Sequence, residues 1–318
     1  MYRVVIAQPI AEEGVQLLER QGYNVKKLGF YSPEALLESI GDADGLLVRD
    51  AKVTREVIER GRKLKVISRH GAGLDRIDLA AATERGIVVT YAPIANSLSV
   101  AEHVLGMMLV LAKHMFRVDR GLRAGDFDIR HRLYGMELAG KTLSIVGLGN
   151  IGRRLGAMAR RGLGMHVLGF DPYVRQADVD PDIEVTGEWE RMFREGDFIT
   201  LHPPLTPETR GCVAKREFGW MKPTAYLINC ARSPLADEEA LTQALKEGRI
   251  AGAGIDVYLS DPPPSDHPLL SMENVVVTPH SAAHTHEAMV NMATHAAQGI
   301  IEVLEGKTPT WVANPSVQ

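Results

Sequence analysis

Apolar and polar positions along this chain change rhythm at regular intervals. In residues 1–96, short apolar runs alternate with stretches whose apolar residues recur at helical spacing. The runs Arg3–Ala7, Tyr23–Lys26, Gly45–Val48, Leu64–Ser68 and Ile87–Thr90 predict strands. The stretches Glu12–Gln21, Pro33–Ile40, Thr54–Gly61 and Asp78–Arg85 predict helices. Such alternation with short links implies parallel βαβ units in an open sheet. Residues 97–125 form one long helical pattern, with Val100, Val104, Met107, Met108 and Leu111 on its apolar face and Ser99 with Glu102 as a capping pair. The methionines fit core or interface packing better than a cofactor contact. Residues 126–140 are polar and irregular, with His131, Arg132 and Tyr134 expected at the surface; the segment is either a subunit arm or a plain surface loop.

The strand–helix rhythm resumes over residues 141–282. Strands are expected at Thr142–Val146, His166–Phe170, Phe198–His202, Tyr226–Cys230, Gly252–Val257 and Val275–Thr278. A last helix, about His284–Leu304, is expected to run back to the first domain. The chain thus divides into a discontinuous domain, residues 1–96 and 283–318, and a domain of residues 97–282 inserted within it, the two connections forming a hinge. No repeat beyond the βα rhythm is present, Pro262-Pro263-Pro264 reads as a rigid loop, and the tail from Thr308 adds no further domain.

Composition narrows the partners. At 318 residues the chain has the length of two ordinary domains. A net charge of −4 gives no footprint for nucleic acid or an anionic membrane, although local arginines can still bind small anions. Cys212 and Cys230 are the only cysteines, which suggests a reducing compartment rather than a disulfide framework. Neither CxxC nor HExxH occurs, so no metal site is expected. The N-terminus, Met1 to Ala7, reads as a strand and not as a signal peptide, and the most apolar stretch, Val104 to Ala112, is too short to span a bilayer. A cytoplasmic protein is expected.

One stretch organises the second half. Val146-Gly147-Leu148-Gly149-Asn150-Ile151-Gly152 sits between the expected strand Thr142–Val146 and a helical stretch from Arg153. This is G-x-G-x-x-G in the strand–turn–helix context that gives the pattern meaning. Gly147 allows the turn, Gly149 lets a pyrophosphate approach the backbone, and Gly152 lets the helix pack on the strand. The helix N-terminus then holds the phosphates. The next expected strand ends at Asp171, which is either an ordinary turn residue before Pro172 or the acid that bonds an adenosine ribose. At this spacing the cofactor reading prevails, and an acid there would repel a 2′-phosphate, which favours NAD over NADP.

Candidate chemistry lies in loops that leave the carboxyl ends of strands. Arg232 follows the strand at Tyr226–Cys230, Asp261 follows Gly252–Val257, and His280 follows Val275–Thr278. A guanidinium binds a carboxylate bidentately, and an imidazole beside a carboxylate can take and return a proton. Each residue also has a plain alternative: a surface arginine, a proline-turn initiator and a loop histidine. His202, followed by Pro203-Pro204, is expected to shape its loop, and Cys230 to line the pocket without being a nucleophile. In the first domain, Arg69-His70-Gly71-Ala72-Gly73-Leu74-Asp75 is either a plain glycine turn or a loop whose backbone N–H groups meet a small anion. His70 stays open there as a substrate contact.

With these motifs in order, the sequence resembles the D-isomer-specific 2-hydroxyacid dehydrogenases. The resemblance covers nearly the whole chain. It is carried by Arg69–Asp75, Asn96–Glu102, the glycine fingerprint with Asp171, Leu201–Thr209, Asn229–Arg232, Gly254–Val257 and Thr278–His280. It implies that Arg232 binds substrate, that His280 is the acid/base, and that Asp261 stands where the family usually has the glutamate supporting that histidine. It implies that Asp256 holds the nicotinamide carboxamide, and that Ala72 and Gly73 bind the substrate carboxylate. Ile151, Arg153, Thr206, Cys230 and Ala231 match cofactor-contact positions. Arg49 and Arg69 sit where phosphate-recognising arginines occur in phosphoglycerate-oxidising members. The departures are Asp261, one methylene shorter than glutamate, Arg76 for a usual asparagine, Ile94 for a usual glycine, and Ser233 for the glycine after the arginine.

The combined expectation is an α/β protein with two Rossmann-like open parallel-sheet domains, the NAD-binding one inserted into a flavodoxin-like substrate domain. Its cofactor is NAD, its substrate a small 2-hydroxy or 2-keto acid, led by D-3-phosphoglycerate with hydroxypyruvate or glyoxylate close behind. A homodimer is implied by the family, and no serine-type control is expected, since longer members carry the regulatory domain for it. From another class, an NAD(H)-sensing binding protein on the same fold remains open.

Overall fold

In the computed structural model, residues 1–29 and 32–317 are described. They form two compact units, Met1–Ser97 with His284–Gln318, and Leu98–Ala283.

The first unit holds five parallel strands: β1 (Arg3–Ile6), β2 (Asn24–Lys27), β3 (Gly45–Val48), β4 (Val66–Arg69) and β5 (Val88–Thr90). Their order is β2-β1-β3-β4-β5, the flavodoxin-like sequence. The central β3 is buried throughout, as a parallel strand covered on both faces must be, whereas the edge strand β2 is mostly exposed. Helices α1 (Glu12–Arg20), α2 (Pro33–Ser39), α3 (Arg55–Arg60) and α4 (Leu79–Glu84) connect the strands. The terminal helix α11 (His286–Leu304) completes this unit, burying Met292, Ala293, Ala296, Ala297, Ile300 and Ile301. It crosses α1 closely because Gly14 has no Cβ; one built there would lie 2.7 Å from the Ala293 carbonyl oxygen. The chain crosses over between β1 and β3, and there Gln8 binds the loop after β3. Its Oε1 accepts the N–H groups of Arg49, Asp50 and Ala51 at 3.1, 2.8 and 2.8 Å.

The second unit holds seven parallel strands: β6 (Thr142–Val146), β7 (His166–Phe170), β8 (Ile183–Val185), β9 (Phe198–Leu201), β10 (Tyr226–Asn229), β11 (Gly252–Ile255) and β12 (Val275–Val277). Their order, β12-β11-β10-β9-β6-β7-β8, is the Rossmann arrangement extended by one strand. Helices α7 (Asn150–Leu163), α8 (Trp189–Glu195), α9 (Lys215–Trp220) and α10 (Glu238–Lys246) join them. Two apolar clusters contribute to its core: one packs α5 (Ser97–Ala112) and α7 through Val104, Met108, Leu155 and Ala159, the other α8 to α10 through Phe193, Phe218 and Leu241.

The structure corrects four local expectations. The pattern over residues 97–125 is two helices, α5 and α6 (Met115–Arg123), bent by 57°. His114 between them takes a left-handed backbone, and the Ala112 carbonyl is bonded instead by the returning Met136 N–H at 2.8 Å. Apolar spacing runs through the break, yet α5 is heavily buried while α6 buries no residue. Ser99 is no cap: α5 begins at Ser97, and Ser99 Oγ donates to the Ala282 carbonyl at 2.8 Å. Strand β8 is absent from the expected strands, because three residues at a sheet edge carry too little periodicity to register. Residues 126–140 are not wholly irregular, since Phe127–His131 make a 3₁₀ turn.

Candidate functional site

The glycine fingerprint lies where the strand order reverses, between β6 and β9. Gly147 has φ +94°, and its N–H donates to the Phe170 carbonyl at 2.8 Å. A Cβ there would meet the Pro203 nitrogen at 2.7 Å, and one on Gly152 would meet the Gly147 oxygen at 2.1 Å. Gly149, before the first turn of α7, is different: a Cβ there would have nothing within 4 Å. Two glycines thus serve packing and the third leaves open space beside the N-terminus of α7, which is the room a pyrophosphate requires. Arg153 clamps this loop, donating from Nε to the Leu148 carbonyl at 2.6 Å and from Nη1 to the Asp178 carbonyl at 2.7 Å. Asn150 and Ile151 open the helix.

Asp171 ends β7 beside that loop. Its Oδ2 accepts the Leu148 N–H and its Oδ1 the Tyr173 N–H, each at 2.9 Å. A carboxylate accepts about four hydrogen bonds, so these two leave room for ribose hydroxyls. The residues present therefore fit a dinucleotide. Thr206 lies in the loop after β9, its N–H bonded to Thr209 Oγ1 at 2.8 Å.

Three neighbouring strands carry the reactive candidates. After β10, the Asn229 side chain staples the turn, accepting from the Ala231 N–H at 3.1 Å and donating to the Arg232 carbonyl at 2.9 Å. Arg232 then projects from an extended backbone, with Nη1 donating to the Ala231 carbonyl at 2.7 Å. Cys230 is buried against Met107, with Sγ 3.7 Å from Sδ. Burial, and then the Asp256 charge, push its thiol well above the usual range, so it is no nucleophile at neutral pH.

After β11 comes Asp256, fully buried. Its Oδ1 accepts the Thr278 hydroxyl at 2.5 Å and the Ser281 N–H at 2.8 Å, and its Oδ2 accepts the Ala282 N–H at 3.0 Å. A buried carboxylate needs such donors, and these three come from the loop after β12 that bears His280. The Thr278 hydroxyl spends its one proton on Asp256, so it accepts from His103 Nε2, 3.1 Å away.

His280 itself has φ +54°, a conformation that costs a non-glycine residue about 1 kcal/mol or more. Its Nδ1 lies 2.9 Å from Asp261 Oδ2. Aspartate's shorter side chain is therefore long enough. An ionised carboxylate only accepts, so Nδ1 carries the hydrogen and Nε2 is the atom left to exchange a proton with a ligand.

In the first unit the substrate candidates follow β3 and β4. Arg49 donates from Nη2 to His284 Nε2 at 3.0 Å, and its Nε lies 3.3 Å from Asp50 Oδ2. Arg69 folds back over its own loop: Nε donates to the Gly73 carbonyl at 3.0 Å, Nη1 to the His70 carbonyl, and Nη2 lies 3.7 Å from Asp50. Arg69 thereby shapes the Gly71–Gly73 loop, in which Gly71 has φ +132° and Ala72 and Gly73 are half-buried. His70 is buried; burial first, then Arg49 and Arg69, lower its pKa to about 4, so it is neutral at pH 7. His202 is likewise lowered to about 4 by burial, and its Nε2 lies 2.9 Å from Thr200 Oγ1.

Sequence reasoning missed Gln8, His103, Thr278, His284 and the residues around Asp261 considered below. Only Thr278, inside the quoted Thr278–His280 motif, carried any local signal.

Comparison with known proteins agrees with this geometry. Residues 105–282 match the model for the NAD binding domain of the D-isomer specific 2-hydroxyacid dehydrogenases. The chain is 43% identical over 316 residues to a D-3-phosphoglycerate dehydrogenase of Methanocaldococcus jannaschii, covering 99% of this chain and 60% of that protein. It is 41% identical over 295 residues to a glyoxylate reductase of Thermofilum pendens, covering 90% and 86%. The structure of NAD+-bound 3-phosphoglycerate dehydrogenase from Entamoeba histolytica superposes with a TM-score of 0.83 at 30% identity, covering 98% of each chain. The chain spans 55–60% of the length of the first three phosphoglycerate dehydrogenases it matches.

Proposed function

The chain belongs to the D-isomer specific 2-hydroxyacid dehydrogenase family, and from that premise we propose that it is an NAD-dependent enzyme interconverting an (R)-2-hydroxy acid and its 2-keto acid. The observation that carries the reading is the Asp261–His280 pair, which fixes the imidazole proton on Nδ1 and leaves Nε2 for the substrate.

NAD, when bound, supplies the hydride acceptor for C2 of the hydroxy acid. In the oxidative direction His280 Nε2 takes the C2 hydroxyl proton; in reduction it returns that proton to the carbonyl oxygen. Asp261 offsets the charge of the imidazolium formed and keeps the ring turned. Arg232 binds the substrate carboxylate bidentately, and the loop of Ala72 and Gly73 offers backbone N–H groups suited to a small anion. Asp256 keeps the His280 loop in place and, with a lone-pair site remaining on Oδ2, receives the nicotinamide amide. Gly147, Gly149, Asn150, Ile151, Gly152, Asp171, Thr206, Cys230 and Ala231 make the rest of the cofactor site.

D-3-phosphoglycerate is the leading substrate. Arg49, whose guanidinium donates to His284 Nε2, supplies the cation for a phosphate, whereas Arg69 contributes by shaping the loop. The deciding experiment is NADH oxidation by the purified protein against 3-phosphohydroxypyruvate, hydroxypyruvate, glyoxylate and pyruvate. Preference for the phosphorylated acid supports the reading. Preference for glyoxylate or hydroxypyruvate reassigns the substrate. Turnover of none of them, with NADH still bound, overturns the enzyme reading in favour of a sensor.

Among the described residues no single helix is long and apolar enough to cross a membrane. We place the protein in the cytoplasm as a homodimer. Exposed Met115, Phe116, Leu122 and Phe127 on and after α6 support an interface, and sedimentation as a monomer at micromolar concentration would refute it.

A further inference from the structure

We infer that Tyr258, His267 and Glu238 form a latch that holds Asp261 against His280, and that these are positioning residues of the site. The inference rests on the acid/base reading above.

Asp261 lies in the long connection between β11 and β12. Around it, Leu259 to Asp266 are surface residues with little burial, Leu259 being 66% exposed. The Asp261–His280 contact is itself half in solvent, with side chains 33% and 49% exposed. An ion pair so placed contributes no more than ordering the backbone of a single residue costs. The contact therefore cannot fix the segment that carries it; something at the base of the segment must.

The base is built for that. Tyr258 and His267, the residues on either side of the exposed segment, are both buried, and their rings meet edge-on with centroids 5.8 Å apart. The segment therefore leaves and returns at one point, as in a compact surface loop. Each ring is tied elsewhere. Tyr258 Oη donates to the Thr278 carbonyl at 3.0 Å, two residues before His280. His267 Nδ1 accepts the Leu269 N–H at 3.3 Å, so the hydrogen sits on Nε2, which lies 3.1 Å from Glu238 Oε1 in the first turn of α10. This last contact is a close approach that falls short of a hydrogen bond, Nε2 having no hydrogen-bond partner among the described residues. Through it Glu238 of α10 abuts one ring, and through Thr278 the other ring is tied to the loop of His280. The two partners of the acid/base pair are thus referred to one rigid base.

The test reads the tautomer of His280 by 15N NMR of the whole ligand-free protein at about pH 9, where histidine is neutral. In the unaltered protein the ring holds the Nδ1–H tautomer. Asp261→Ala, the reference, moves it toward Nε2–H. Glu238→Ala moves it by at least half as much while the melting temperature changes by a few degrees, and Glu238→Gln, which keeps an oxygen facing His267, moves it by less than Glu238→Ala. In turnover, Glu238→Ala lowers kcat about tenfold with the KM for NADH unchanged. If Glu238→Ala instead destabilises the fold, Tyr258→Phe, which removes the tie to Thr278, decides by the same half-displacement criterion. A ring unmoved in Glu238→Ala, or in Tyr258→Phe where that variant decides, overturns the latch if Asp261→Ala still moves it. A ring unmoved by Asp261→Ala overturns the acid/base pair, and the latch falls with it.

Discussion

Asp261 reaches His280 at 2.9 Å while His280 holds a left-handed backbone, so the contact joins an exposed carboxylate to a strained residue. Strain of this kind persists where the surroundings over-determine it. Replacing Asp261 by alanine removes the acceptor that selects the Nδ1–H tautomer, and kcat should fall about 10- to 100-fold. Asp261→Glu keeps the charge and should stay within a few-fold of the unaltered enzyme. Steady-state assays with the preferred keto acid check both.

Asp256 is the densest hydrogen-bond acceptor of the site. Asp256→Ala strands the Thr278 hydroxyl and the Ser281 and Ala282 N–H groups in a buried place. Bonds to charged groups contribute about 1.5–3 kcal/mol each, with partial recovery by water. A loss of about 3 kcal/mol in urea denaturation is expected, together with lost turnover. Unchanged stability would mean that the His280 loop is held by other means.

The fingerprint glycines separate packing from binding. At Gly149 a methyl meets nothing in the protein, so Gly149→Ala should leave the melting temperature unchanged and weaken NADH binding about tenfold or more. At Gly152 a methyl meets a carbonyl oxygen at 2.1 Å, so Gly152→Ala should lower the melting temperature whether or not cofactor is present. Thermal melts and fluorescence titration with NADH distinguish the two.

Acid should weaken the fold through His70 and His202. Their pKa values in the folded chain, about 4, lie below the 6.5 of an unfolded histidine. Below pH 6.5 the unfolded chain takes up protons that the folded chain refuses, so stability is complete above that pH and declines down to about pH 4. The cost is up to about 3 kcal/mol for His70. His70→Leu should flatten the decline in urea midpoint between pH 7 and pH 4; an equally steep decline in that variant would place the titration elsewhere.

Arg49 tests the phosphate reading. Arg49→Ala should raise the KM for 3-phosphohydroxypyruvate at least tenfold, losing a charge-assisted contact, and change the KM for glyoxylate little. Equal losses for both acids would assign Arg49 to the common carboxylate.

What the sequence determined by itself was whatever depends on neighbours along the chain. Strands β3, β6 and β7 were legible to the residue because a buried strand and its turn are written in consecutive positions. The fingerprint from Gly147 to Gly152 was legible for the same reason, and so was the placing of Arg232, Asp261 and His280 after their strands. Tertiary structure decided what those loops do to one another. That Asp256 binds the loop of His280, that Thr278 accepts from His103, and that Tyr258 meets His267 across the Asp261 segment all follow from the side-by-side pairing of β10, β11 and β12 and the packing around them. The break at His114 is of the same kind, since the group that takes up the Ala112 carbonyl comes from Met136. Periodicity reports which face of an element is buried. It carries no information on which distant backbone group arrives to satisfy an end, because that is set by packing between segments far apart in the chain.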